Sequence, residues 1–195
     1  MVTILSEKQQ YWDEVTASMS KVTDKLGMPI DQGIFDTVVA LNVLGISTSM
    51  SCEGHLNHGR AAPWIRFHAK GIDQLRAQAK EATNQCQRTK AECAPAEEIE
   101  KWASEAFRLS REANTTCFQE PKRVMDYLGV FYCDRHVPYD RQLLLKVDSF
   151  GNSTLTVHGE PFQPLQILEV RAQNLTKYQE EMQMFTAFLK QAYFS

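Results

Sequence analysis

The hydrophobic period of this chain switches abruptly at Gly45, and that switch constrains the fold more than any other feature. Before it, Phe35, Val38, Val39 and Leu41 recur at helical spacing, with Asp31 placed to cap the helix and Gly45 to stop it. After it, Ile46, Thr48 and Met50 alternate with Ser47, Ser49 and Ser51, which is the period of a strand. The sequence "PWIRFHA", residues 63–69, repeats that period, with Ile65 and Phe67 alternating against Trp64, Arg66 and His68. A helix therefore feeds a strand, loop, strand unit. Its loop of about ten residues is longer than a hairpin needs, and surplus loop length is often functional.

The flanking segments supply more helices and two more strands. Ser6 and Gln9 form a capping box, followed by Trp12, Val15, Met19, Val22 and Leu26 at helical spacing until Gly27 and Pro29. From Gly71 to Ala113 the composition shifts to Ala, Glu, Gln, Lys and Arg, with a thin apolar seam that includes Trp102, Ala106 and Phe107. This pattern predicts an antiparallel helical hairpin over 72–113, with Pro95 in the first turn of its second helix. Pro121 starts a short helix ending near Gly129, and Val130 to Cys133 reads as a short strand. "QLLLKVD", "SFGN" and "STLTVH" read as strand, turn and strand. Leu165, Leu168, Ala172, Leu175, Met182, Phe185, Leu189 and Tyr193 mark a long closing helix. The prediction is one α+β domain spanning 1–195: a mostly antiparallel sheet of about four or five strands packed by helices, with the hairpin inserted.

Composition narrows the function classes. The chain has 195 residues, 43% of them hydrophobic, enough for one core. A net charge of −3 disfavours a general nucleic-acid binder. No run of eighteen apolar residues suggests a membrane span, and the first residues lack the pattern of a secretory signal. Five cysteines, an odd number, fit reduced thiols and a cytoplasmic setting better than a disulfide framework.

Chemistry concentrates in "MSCEGHLNHG", residues 50–59. Cys52, His55 and His58 have a spacing that suits zinc or a similar ion. Cys133 and His136 repeat the Cys-x-x-His spacing and would close a four-ligand site if the two segments met. Alternatively, Cys52 is a nucleophile, His55 or His58 its base, and Glu53 an orienting or proton-moving group. A third reading is a binding loop. Here Ser47, Ser49 and Ser51, joined by Arg66 and His68 if the register puts them on the serine face, and the turn at Gly54 would receive a carboxylate or phosphate. In a fourth reading Gly54 only permits a tight turn. For Cys86, Cys93, Cys117 and Cys133 the expected role is that of small buried apolar residues.

"TSMSCEGH", residues 48–55, resembles a motif of uncharacterised bacterial and phage proteins with a Ser-Cys-Glu-Gly-His core. That resemblance spans about Phe35 to Phe67 and implies architecture, with no activity attached. Ser51, Cys52 and Gly54 also resemble the Ser-Ser-Cys-Ser-Gly-Arg strand-end motif of the wybutosine-pathway transfer-RNA methyltransferase family. That likeness implies S-adenosylmethionine and a tRNA base as partners; here Glu53 and His55 replace its serine and arginine.

The sequence thus leads to a loop that binds a small polar or anionic molecule. Cys52, Glu53 and His55 are its candidate catalytic residues, and Ser49, Ser51, Gly54, His58, Trp64 and Arg66 its candidate binding residues. No stoichiometric metal is expected, because a four-ligand site needs Cys133 and His136 to arrive from a distant segment. No cofactor is specified. The hairpin adds a separate expectation, a protein-binding or homo-oligomer surface on Trp102, Phe107 and Leu109.

Overall fold

A computed structural model describes residues 2–149 and 152–195. Helices α1 (Val2–Met19) and α2 (Gln32–Val43) lead into strands β1 (Thr48–Cys52) and β2 (Trp64–Phe67). Helices α3 (Ile72–Ala91), α4 (Ala96–Cys117) and α5 (Gln119–Phe131) follow. Strands β3 (Leu143–Ser149) and β4 (Asn152–Val157) and the long helix α6 (Leu168–Phe194) complete the chain. The four strands form one antiparallel sheet in the order β1-β2-β4-β3, so the fold is α+β as expected.

Gly45 ends α2 by the mechanism its position suggests. It adopts φ +72°, its N–H donates to the Asn42 carbonyl, and the Ile46 N–H reaches back to Leu41. This pair of bonds satisfies the last carbonyls of the helix and needs a residue tolerant of the left-handed region. Ile46 is then fully buried and starts the return path toward β1.

The main core lies between one sheet face and helices α2, α5 and α6. Ile65, Phe67, Leu155 and Val157 of the sheet meet Val38, Leu41, Val124, Phe131, Met182 and Phe185 there, all at most 5% exposed. Trp12 of α1 closes one edge against Tyr193 and Phe194. An ion pair joins buried Glu181 of α6 to the segment after α5: Nη2 of half-buried Arg135 lies 3.0 Å from the Glu181 carboxylate, which also accepts the Tyr132 hydroxyl.

Helices α3 and α4 pack along each other as an antiparallel hairpin, extending to Cys117 rather than Ala113. Two small apolar clusters hold it. Ala79, Ala82 and Leu109 meet Trp102 and Ala106 along the shaft, and Ala69, Ile72, Ala113 and Cys117 pack at the base. Leu109 is therefore covered, whereas Phe107 is 70% exposed.

Five local expectations are corrected. Helix α1 starts at Val2, so Ser6 lies inside it rather than at its cap, and it ends at Met19. Beyond it, the Asp24 carboxylate accepts the Leu26 and Met28 N–H groups, a side-chain turn that competes with the helix and leaves Leu26 exposed. Val130 belongs to α5, because Val124, Leu128 and Phe131 keep helical spacing into the core. No strand forms over 130–133. Leu165 sits in a 3-10 turn (Glu160–Leu165), solvent-exposed, ahead of α6. Cys93 and Cys133 are exposed, whereas Cys86 and Cys117 are buried as expected. Of the expected "SFGN" turn, Phe150 and Gly151 lie outside the described residues.

Candidate metal centre

The first residue of interest is one the sequence offered only as a helix cap. Asp31 stands at the N-cap position of α2 but makes no side-chain hydrogen bond to that helix. Its Oδ2 instead accepts the Glu53 N–H at 3.1 Å, just past the end of β1. Glu53 returns the contact: its Oε2 accepts the Gly33 N–H at 2.7 Å, serving one of the unpaired donors in the first turn of α2. The absence of a side chain at Gly33 makes room, since a Cβ there would lie 2.6 Å from Glu53 Oε2.

Element lengths explain why these segments meet. Twelve helical residues span about 18 Å. The strand that returns beside α2 covers a similar length at about 3.3 Å per residue, so its end arrives near the helix start. The pairing of Asp31 with Cys52 was a signal of matched lengths, not of any motif.

Gly54 then turns the chain sharply. It has φ +88° and is buried against α6; a Cβ would lie 2.7 Å from the Ala62 carbonyl carbon and 2.8 Å from Leu175 Cδ1. Helix α6 anchors the loop further, with Gln179 Nε2 donating to the Glu53 carbonyl at 3.0 Å and Arg171 Nη2 to Leu56 at 3.5 Å. The loop closes on itself where the His55 N–H meets the Arg60 carbonyl at 2.9 Å.

Within this frame His55 Nε2 lies 3.5 Å from Asp31 Oδ2. One ligand atom each from Asp31, Cys52 and His55 falls within 4.8 Å of the others, and all three residues are half-buried. It is the one such three-ligand group among the described residues. His58 stacks on His55, with ring centroids 4.3 Å apart, but does not join the group. Cys133 and His136 do not join it either; they follow α5 rather than a strand.

Burial pushes the Cys52 thiol above its usual range. A Gly54 N–H aimed at the sulfur opposes that rise, while the charges of Asp31 and Glu53 and a hydrogen bond to Asp31 add to it. Without a cation, the site therefore favours a protonated thiol over an activated thiolate.

The sheet register sorts the remaining expected residues. A bulge at Ser49 shifts the phase of β1, so Met50 faces Arg66, Ser51 faces Ile65 and Cys52 faces Trp64. Ser51 thus shares the face of Ile65, and Ser49 bonds the Arg66 carbonyl at 3.5 Å. The expected common face of the serines with Arg66 does not form. Cys52, Trp64 and Arg66 share the opposite face instead. A cleft of about 350 Å³ does exist near the loop, but Trp12, Gln32, Gly33, Asp36, Thr186 and Lys190 help line it; Trp64 and Arg66 do not.

The chain shows no significant match to any protein-family model, curated protein or solved structure. Among the described residues, no helix is long and apolar enough to cross a membrane.

Proposed function

We propose that this chain is a metal-dependent enzyme that holds a zinc-class divalent ion with Asp31, Cys52 and His55. The observation that carries this reading is the convergence of three donor atoms within 4.8 Å at the junction of α2, β1 and the loop. Thiolate, imidazole and carboxylate together suit borderline transition ions. Three protein ligands leave a position for water or a small polar ligand, which is the arrangement of catalytic sites. Such an ion supplies Lewis acidity and a water that ionises near neutral pH.

The electrostatics favour a cation over a thiolate nucleophile. Burial first, and then Asp31 and Glu53, raise the Cys52 thiol, which weakens an activated cysteine, whereas a divalent ion would draw off that proton and be held by the same carboxylate. Glu53 acts in this reading through its backbone: its N–H orients Asp31, while its carboxylate holds the helix start. The expectation of no stoichiometric metal rested on a four-ligand site that needs Cys133 and His136; a three-ligand site with Asp31 as the third donor does not need them. Five unpaired cysteines fit a reducing, cytoplasmic setting.

Cobalt(II) tests this reading directly. The wild-type protein should bind it with a thiolate-to-metal charge-transfer absorption that Cys52→Ser removes. A protein that takes up cobalt with no thiolate absorption, or takes up none, would refute the assignment.

A further inference from the structure

Directly across the ladder from Cys52 stands Trp64, with two guanidinium groups against its ring. Arg60 lies 5.4 Å from the ring centroid and Arg66 5.9 Å. Arg60 Nε has Glu160 at 3.4 Å, but its Nη1 is shielded from water and has no acceptor among the described residues. Arg66 has less. Its Nη1 meets only the Met50 thioether, at 3.7 Å, its buried Nε has no acceptor, and no carboxylate lies within ion-pair distance of it among the described residues. Shielded cationic N–H groups without acceptors are unfavourable unless a ligand supplies them.

We infer that Arg66 and Arg60, set against Trp64, form an oxyanion subsite that receives the carboxylate or phosphate of the substrate beside the metal centre. The inference rests on the metal reading for the substrate's second contact and deepens it by naming the substrate class. Guanidinium groups present donors in a fixed fork that matches carboxylate and phosphate oxygens. Both guanidinium groups lie against the Trp64 ring, and both arginines are only half-buried. Cys52, Trp64 and Arg66 lie on one sheet face, and residues paired across a ladder stand about 5 Å apart. An anion held by Arg66 would thus lie on the sheet face that carries Cys52. The positive pair also balances the carboxylates around Cys52, which alone would repel an anion.

The arginine side-chain N–H signals in NMR spectra report on this subsite directly. Inorganic phosphate and acetate are titrated separately into the metal-free protein. At least one should shift the Arg66 and Arg60 Nε–H signals saturably. Arg66→Met should weaken that binding at least tenfold, Arg66→Lys should restore only part of it, and Arg88→Met on the distant hairpin should change nothing. A phosphate-only or acetate-only response assigns the group. Adding zinc should then tighten binding of whichever anion responded. Shifts that persist without any zinc effect would refute the metal contact while leaving the arginine subsite standing. No shift with either anion in either metal state, or shifts untouched by Arg66→Met, would overturn the inference.

Discussion

The Glu53 carboxylate accepts the Gly33 N–H at 2.7 Å, binding the end of β1 to the first turn of α2 across twenty residues of sequence. The bond works in both directions: it serves a helix donor with no intrahelical partner and fixes the segment that carries Cys52 and His55. Glu53→Ala should cost about 1 kcal/mol, the usual loss for an N-terminal cap. Gly33→Ala has opposing effects. Alanine favours the helix by up to about 1 kcal/mol, but its Cβ would displace the Glu53 oxygen. The substitution should therefore stabilise the Glu53→Ala background and not the wild type. Urea denaturation of the four proteins checks this; equal effects in both backgrounds would contradict the coupling.

Gly54 has a stricter requirement, because the Ala62 backbone lies in the way as well as the Leu175 side chain. Gly54→Ala should destabilise by about 1–3 kcal/mol through its positive φ and the crowding at Ala62. It should also impair metal uptake, since Cys52 and His55 flank it. An unchanged denaturation midpoint would contradict the described turn.

The Cys52 thiol supplies a pH signature in the metal-free protein. Its folded pKa is raised above the unfolded value, so the fold favours the protonated form. That contribution is complete below an unfolded pKa of about 8.5 and is lost as pH rises through the folded pKa. From pH 7 to 10 under reducing conditions, wild type should lose more stability than Cys52→Ser. Parallel curves would place the thiol in an ordinary environment.

The hairpin should be separable from the core. Deleting 79–109 and joining the stubs with a short linker removes the shaft cluster but leaves the base cluster of Ala69, Ile72, Ala113 and Cys117. The remainder should keep cooperative unfolding and its aromatic circular dichroism. Loss of both would show that the shaft belongs to the main core.

Local signals carried most of the fold. Gly45 and Ile46 announced the end of α2, and β3 and β4 pair antiparallel as their sequences suggest, although β4 is buried on both faces from Ser153 to Val157. Two kinds of information were missing. A short apolar run such as Val130 to Cys133 fits helix or strand equally, and only Leu128 and Phe131 meeting the core decides it. A bulge leaves no mark in one strand alone, so the faces of Ser49 and Ser51 depended on their pairing with β2. The site was half legible. Cys52 and His55 stood out by type and spacing, whereas Asp31 acts through a contact across more than twenty residues that no local pattern encodes.

The most direct test of the account is zinc content after equilibrium dialysis. Wild type should retain about one zinc per chain, the stoichiometry of a single three-ligand centre. Cys52→Ala, His55→Ala and Asp31→Asn should each lose most of it, while Cys133→Ala and His136→Ala should keep it. A wild type without zinc, or retention that depends on Cys133 and not on Asp31, would contradict the assignment of Asp31, Cys52 and His55 as the metal centre.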